Sequence, residues 1–296
     1  IDLGYPGTLP TINKEVVIKA IKLAKALNME IDHELHFDRK NYFYTDLPKG
    51  YQITQQFRPI GKNGTITISS NGQTKQIPIE RIHIEEDTAR QQHQGEQTLI
   101  NYNRAGVPLI EIVSYPNIRS AEEAVQYIEE IQKIAKFLDI SDAIMAKGSL
   151  RADINLSVRM LGTNKYGTRV EIKNLNSLNN VKTAIEYEYN LHVQKIIRGE
   201  EIKQKTRTDH LNIILSFNTD KSLVNEIRVS LISTFSSNTP KEKFLEQDLL
   251  QKSQEILLKI GNTLENEMNG HITGELNIDQ YNIEEVNNYI EDKNLN

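Results

Sequence analysis

The chain has 296 residues, no cysteine, no tryptophan and a formal net charge of -5. That length holds one large domain or two ordinary ones, and the lack of cysteine excludes disulfides, thiolate metal sites and a cysteine nucleophile, leaving oxygen and imidazole donors that suit magnesium better than zinc. No run approaches the roughly 18 apolar residues of a membrane span, and the acidic balance excludes coating of nucleic acid by charge alone, so an RNA partner must meet a local basic face.

In chain order, Gly4-Tyr5-Pro6-Gly7-Thr8-Leu9-Pro10 reads as a turn-rich lead-in, because proline fixes φ and glycine permits positive φ. A helix is predicted from Asn13, a good N-cap, with Val16, Val17, Ala20, Ile21, Ala24 and Leu27 on one apolar face. Residues 37–51 show no regular period but interleave Arg39, Lys40 and Lys49 with Tyr42, Phe43, Tyr44 and Tyr51. Cations among aromatics hold phosphates and stack on bases; the alternative is a surface loop whose aromatics pack inward. Residues 51–86 read as antiparallel strands, with turn signals at Gly61-Lys62-Asn63-Gly64 and Asn71-Gly72 and period-two alternation from Thr65 to Ser69.

Ile82 and Ile84 then lead into three consecutive acids, Glu85, Glu86 and Asp87, a strand end that attracts a cation. His83 lies opposite the Ile82/Ile84 face and is the histidine best placed for a polar role. A glycine-containing loop near residue 95 leads to a strand, Leu109 to Val113, that sets Glu111 in an apolar run. An ionised side chain is costly there unless it is paired or metal-bound. Two readings stay open: a solvated acidic turn with Glu111 paired to Arg104, or a cation site.

Ser120-Ala121-Glu122-Glu123 is a capping box before the stripe Ala124, Ile128, Ile131, Ile134, Ala135 and Leu138, a helix laid on the sheet. In 151–159, Ile154, Leu156 and Val158 share one face, and Arg151, Asp153, Asn155, Ser157 and Arg159 share the other. Residues 169–173 repeat the split, with Val170 and Ile172 against Arg169, Glu171 and Lys173. The loop from Gly162 to Gly167 predicts a hairpin whose polar faces adjoin as a charged floor for a polar ligand, or else an ordinary amphipathic sheet facing water. From Asn174 the chain enters a helix of about 20 residues ending near Gly199. Beyond 208, helical patterns at 222–233, 241–260 and 283–291 predict a small helical domain. The predicted fold class is α+β: a mostly antiparallel sheet cradle backed by helices over 1–208, followed by a reduced helical domain over 209–296.

Five runs, Phe37 to Tyr44, Asp46 to Ile53, His83 to Asp87, Asn103 to Ile112 and Arg169 to Ser177, carry a specific resemblance. In order and spacing, over residues 1 to about 207, they resemble the B subunit family of the bacterial-type aspartyl/glutamyl-tRNA amidotransferases. The resemblance implies ATP-dependent activation of the side-chain carboxylate of Glu-tRNA(Gln) or Asp-tRNA(Asn), then displacement of phosphate by ammonia released from glutamine. It implies an amidase subunit and a small accessory subunit as partners in a heterotrimer, Mg2+ as cofactor and ATP as co-substrate. It also implies work away from membranes, in a bacterial-type cytoplasm or an organelle. By resemblance, Glu86 and Glu111 are the metal-binding pair of the phosphorylation site; Arg151, Asp153 and Lys173 orient phosphate or the aminoacyl group; and Lys40, Lys49 and Glu85 line the ammonia route.

The family's domain starts before the position of Ile1, with a strand bearing a Glu-x-His pair that faces the metal, and ends in a tail domain that helps hold tRNA; neither is matched in these residues. Four further positions of this chain depart from the family pattern, Ala146, Lys147, Tyr115 and Asn117, each removing negative charge near the cradle. The competing expectations are a truncated or degenerate subunit that binds the amidase without activating substrate, and an unrelated magnesium-dependent hydrolase or RNA-binding protein.

Overall fold

The computed structural model describes residues 6–70, 72–94, 97–208 and 223–234. In chain order the elements are α1 (Lys14–Ala26), β1 (Glu30–Ile31), β2 (Asp38–Asn41), β3 (Tyr51–Thr54), β4 (Gly61–Ser70), β5 (Gln73–Glu86), β6 (Arg90–Gln94), β7 (Gln97–Asn101), β8 (Pro108–Ser114), α2 (Ala121–Phe137), β9 (Leu150–Met160), β10 (Val170–Leu175), α3 (Leu178–Ile197), β11 (Lys205–Thr208) and β12 (Leu223–Thr234). Eight strands form one sheet in the order β1-β4-β5-β8-β12-β9-β10-β11. Every pairing in it is antiparallel except β10 with β11. Two ribbons, β2–β3 and β6–β7, stand apart from this sheet.

The helices form where side chains close their open first turns. Asn13 accepts from the Glu15 N–H at 2.9 Å, and Ser120 accepts from the Glu123 N–H at 3.1 Å, each satisfying a donor the helix leaves unpaired. Their apolar faces join one core with the inward side chains of the sheet: Val17, Ile21 and Leu27 of the first helical segment, Ile128 and Ile131 of α2, and Val181 and Ile185 of α3. Burial of each such side chain contributes about 1.5–3 kcal/mol relative to leaving it in water. Helices therefore cover one face of the sheet, and the opposite face is left for polar residues.

A bulge decides which residues of β5 reach that polar face. Ile77 and Ile79 point to the core at odd positions, whereas Ile82 and Ile84 do so at even ones. The pairing with β8 shifts between Ile79 and Arg81, from Ile79 opposite Ser114 to Arg81 opposite Val113. One extra residue reverses the alternation, and His83 and Glu85 consequently face away from the core. Without it they would point among the helices.

Several expectations change. Residues 223–233 are not helical: β12 is a strand in the middle of the sheet, pairing with β8 on one side and β9 on the other. Its Ile227, Val229 and Leu231 are fully buried at period two, and hydrogen bonding on both edges outweighs a weak helical period. A boundary at 208 thus leaves a strand of this sheet on its far side. The helical patterns at 241–260 and 283–291 lie outside the described residues. Gly61 to Gly64 is the start of β4 rather than a turn, with Asn63 at φ 55. Gly64 is needed there, since a Cβ would lie 2.7 Å from the Leu27 carbonyl oxygen and 2.5 Å from Met29 Cγ. The aromatic stretch 37–51 opens and closes in the β2–β3 ribbon, and the loop near residue 95 is the β6–β7 ribbon. The mostly antiparallel sheet backed by helices is as expected.

Candidate active site

Register places His83 of β5 directly opposite Glu111 of β8, and Glu85 two residues along on the same face. The His83 Nε2 lies 3.1 Å from Glu85 Oε1 and 3.2 Å from Glu111 Oε2. One ligand atom from each of the three lies within 4.8 Å of the others. The ribbon covers the cluster: Thr54 of β3 donates to Glu85 at 2.6 Å and Gln52 donates at 3.3 Å. His83 and Glu85 are buried, so their charges are poorly hydrated and must answer one another. Burial alone would push the His83 imidazole down, but the hydrogen bonds and charges of Glu111 and Glu85 carry it up to about 9. Burial would likewise raise Glu111, and the His83 partner outweighs it to hold that carboxyl below its ordinary value.

Beside this cluster, Asp87 anchors two guanidinium groups. Arg151 of β9 donates to it through two nitrogens at 3.1 and 2.7 Å, and Arg104 approaches at 3.5 Å. Arg104 also donates to the carbonyls of Thr88 and Ala89. The clamp ties the end of β5 across two intervening strands to the start of β9. Next to it opens a pocket of about 760 Å³ lined by Arg90, Arg104, Lys147, Arg151 and Lys173, with Asp153 and Asn174 among the remaining lining residues. Asn174 takes the left-handed conformation at φ 63, within the irregularity between Ile172 and Leu175 of β10. Such a kink re-aims neighbouring side chains, and Lys173 Nζ lies 3.7 Å from Asp153 and 3.5 Å from Glu171.

A family profile described as the GatB/GatE catalytic domain matches residues 1–213. The chain belongs to that family. It is 66% identical over 207 residues to the aspartyl/glutamyl-tRNA(Asn/Gln) amidotransferase B subunit of Mycoplasmopsis agalactiae, covering 70% of this chain and 44% of the relative. It is 55% identical over 256 residues to the protein of the same name from Mycoplasmopsis pulmonis, covering 86% and 53% respectively. A third relative of that name, from Mycoplasma mobile, is 67% identical over 182 residues, 62% of this chain and 38% of its own length. The chain thus spans about half the length of the curated relatives it matches.

In this GatB/GatE-family chain the residues expected from sequence fall into three places. Glu111 meets His83 and Glu85 rather than Glu86. Glu86 pairs with Lys49 at 2.5 Å and accepts from the Ile53 N–H at 3.2 Å. Arg151, Asp153 and Lys173 share the basic pocket. Lys40 sits on the exposed side of the ribbon, 5.8 Å from the Tyr42 ring, and its charge reaches Glu111. Arg104 goes to Asp87 and not to Glu111. Tyr115 and Asn117 lie past the far end of β8, where Tyr115 donates to Asn63 and the Asn117 carbonyl accepts from Lys75; only Ala146 and Lys147 of the divergent positions line the pocket. The sequence reading missed the grouping of Glu85 with His83, although period two from His83 already puts both on one face.

The cluster suits a hard divalent ion. Two carboxylates and an imidazole converge without any thiolate, and a six-coordinate ion such as Mg2+ would keep positions open for water and phosphate oxygens. Both carboxylates face the His83 ring nitrogen, and the imidazole would release its proton there to ligate such an ion. No helix among the described residues is long and apolar enough to cross a membrane.

Proposed function

We propose that this chain carries the carboxylate-activating site of an aminoacyl-tRNA amidotransferase, which turns the side chain of Glu-tRNA(Gln) or Asp-tRNA(Asn) into an amide. The observation that carries the reading is the convergence of His83, Glu85 and Glu111 beside a pocket lined by five cations, in a chain 66% identical to a protein of that name. A carboxylate is a poor acyl donor, so it must first take the γ-phosphoryl group of ATP. Bound Mg2+ supplies charge neutralisation for that transfer. His83, Glu85 and Glu111 would hold it, with Glu86 at the edge of the same strand end.

The chain's own side chains do the rest by position and charge. Arg151 and Lys173 draw the transferred phosphoryl oxygens into the pocket, and the Asp87 clamp fixes the Arg151 fork. Asp153 and Lys173 orient the aminoacyl group. Ammonia released by an amidase partner enters beneath the ribbon past Lys40, Lys49 and Glu85. Lys49 is paired with Glu86, and Glu85 accepts from Thr54 and Gln52, so the buried part of the route has its charges answered and does not trap ammonium. A small accessory subunit completes the heterotrimer, which works in the bacterial cytoplasm.

The complex assembled with amidase and accessory subunits tests the reading. It should convert mischarged tRNA with ATP and glutamine, and Glu111→Gln should remove tRNA-dependent ATP cleavage while leaving the partner's glutamine hydrolysis in place. Normal assembly with no amidation would favour a chain that binds its partner without activating substrate. Unaltered amidation in both Glu86→Gln and Glu111→Gln would end the metal assignment.

A further inference from the structure

Asp153 stands apart from the other acids of the polar face. Five cations line the pocket, and Asp153 is the one carboxylate among its described lining residues. It lies on β9, opposite Ser230 of β12, which in turn faces Val113 of β8. Glu111 sits two residues along β8 from Val113, so it is two strand spacings across and two residues along from Asp153, about 12 Å, a gap wide enough for an acyl phosphate. From β10, Lys173 stands 3.7 Å from it. Burial is the largest influence on Asp153 and pushes its carboxyl up to about 6; Lys173 and Arg151 draw it down, while Glu171 and Glu111 add to the rise.

The amide-forming step of the proposed reaction needs a group of this kind. The ammonia nitrogen attacks the acyl carbon, a C–N bond forms, and the C–O bond to phosphorus breaks with its electron pair leaving on inorganic phosphate. Nitrogen enters with three protons and the amide keeps two. The guanidinium and ammonium groups of the pocket are already protonated and accept nothing. Resting on the functional reading above, we propose that Asp153 is the catalytic base that takes the proton from the attacking nitrogen. Its carboxylate receives that proton, and Lys173 steadies the ionised form before the next turnover.

The test uses the assembled complex with Asp153→Asn and Asp153→Glu, given ATP, mischarged tRNA and one of two nucleophiles, ammonium chloride or hydroxylamine. Hydroxylamine also sheds one nitrogen proton on acylation, but it is the stronger nucleophile and its less basic nitrogen gives that proton to water, so it attacks an acyl phosphate without help from a base. Asp153→Asn should lower ammonia-dependent amidation by about 10²–10⁴-fold, at least tenfold more than it lowers ATP cleavage or hydroxamate formation; Asp153→Glu should restore part of the amidation. Equal loss of hydroxamate and amide would overturn the proton role and make Asp153 a group that positions the acyl phosphate. Wild-type amidation in Asp153→Asn would also overturn it, leaving the departing phosphate as proton acceptor. If the wild-type complex cleaves no ATP, the functional reading fails and the proposal falls with it.

Discussion

Replacing Asp87 by Asn keeps the shape of the side chain and removes the charge that holds Arg151 and Arg104. The Asp87 side chain is only 3% exposed, so water screens the loss poorly. Of the two close bonds from Arg151, at 3.1 and 2.7 Å, the amide oxygen keeps one in a weaker form, and the amide nitrogen faces a donor with another donor. Bonds to charged groups are worth about 1.5–3 kcal/mol each. Losing one and weakening the other costs about 3 kcal/mol, in line with the roughly 3–5 kcal/mol for removing one partner of a buried pair. Urea unfolding followed by circular dichroism reads the change. Arg151→Met alone should also destabilise, and the double variant should cost about 2 kcal/mol less than the sum of the singles. Strict additivity, or a change below about 0.5 kcal/mol for Asp87→Asn, would show that the clamp does not tie β5 to β9.

In chelator, stability should depend on pH through His83. Its folded value, about 9, exceeds the usual 6.5, so the contribution is full below the unfolded value and disappears as pH rises through about 9. At about 1.4 kcal/mol per pH unit the loss approaches about 3 kcal/mol, and a His83→Asn variant with a flat profile confirms the source. Gly64→Ala should destabilise by about 1–3 kcal/mol, because the added methyl meets the Leu27 carbonyl oxygen at 2.7 Å; an unchanged urea midpoint would refute the close approach. Arg207→Met should leave Glu188, 1% exposed and paired to Arg207 at 2.7 Å, short of its main counter-charge. The expected cost is about 3–5 kcal/mol, with faster amide exchange in β11, and slow exchange there would contradict it.

Much of the cradle was legible because short-range chemistry agreed with the final packing. Asn13 and Ser120 cap the helices their sequences announce, and the two faces of 151–159 and 169–173 survive as the antiparallel pair β9 and β10. The course of 222–233 was not legible, since Val224, Ile227 and Leu231 fit a helical stripe while Ile227, Val229 and Leu231 fit a strand, and only the partners β8 and β9 on both edges decide between them. Three adjacent acids likewise do not say which of them faces the site. The order Ile77-Pro78-Ile79-Glu80-Arg81-Ile82-His83-Ile84 contains the answer, because two polar residues between alternating pairs signal the bulge that turns His83 and Glu85 outward together. The clamp from Asp87 to Arg151 spans 64 positions and follows from tertiary structure alone.

The most direct measurement is a Mn2+ titration of the purified chain followed by electron paramagnetic resonance, comparing wild type with Glu111→Gln and with the His83→Ala, Glu111→Gln double variant. One tight site in the wild type, weakened by the single change and abolished by the double, is the result expected if β5 and β8 together hold the cation. Equal tight binding in all three would contradict it.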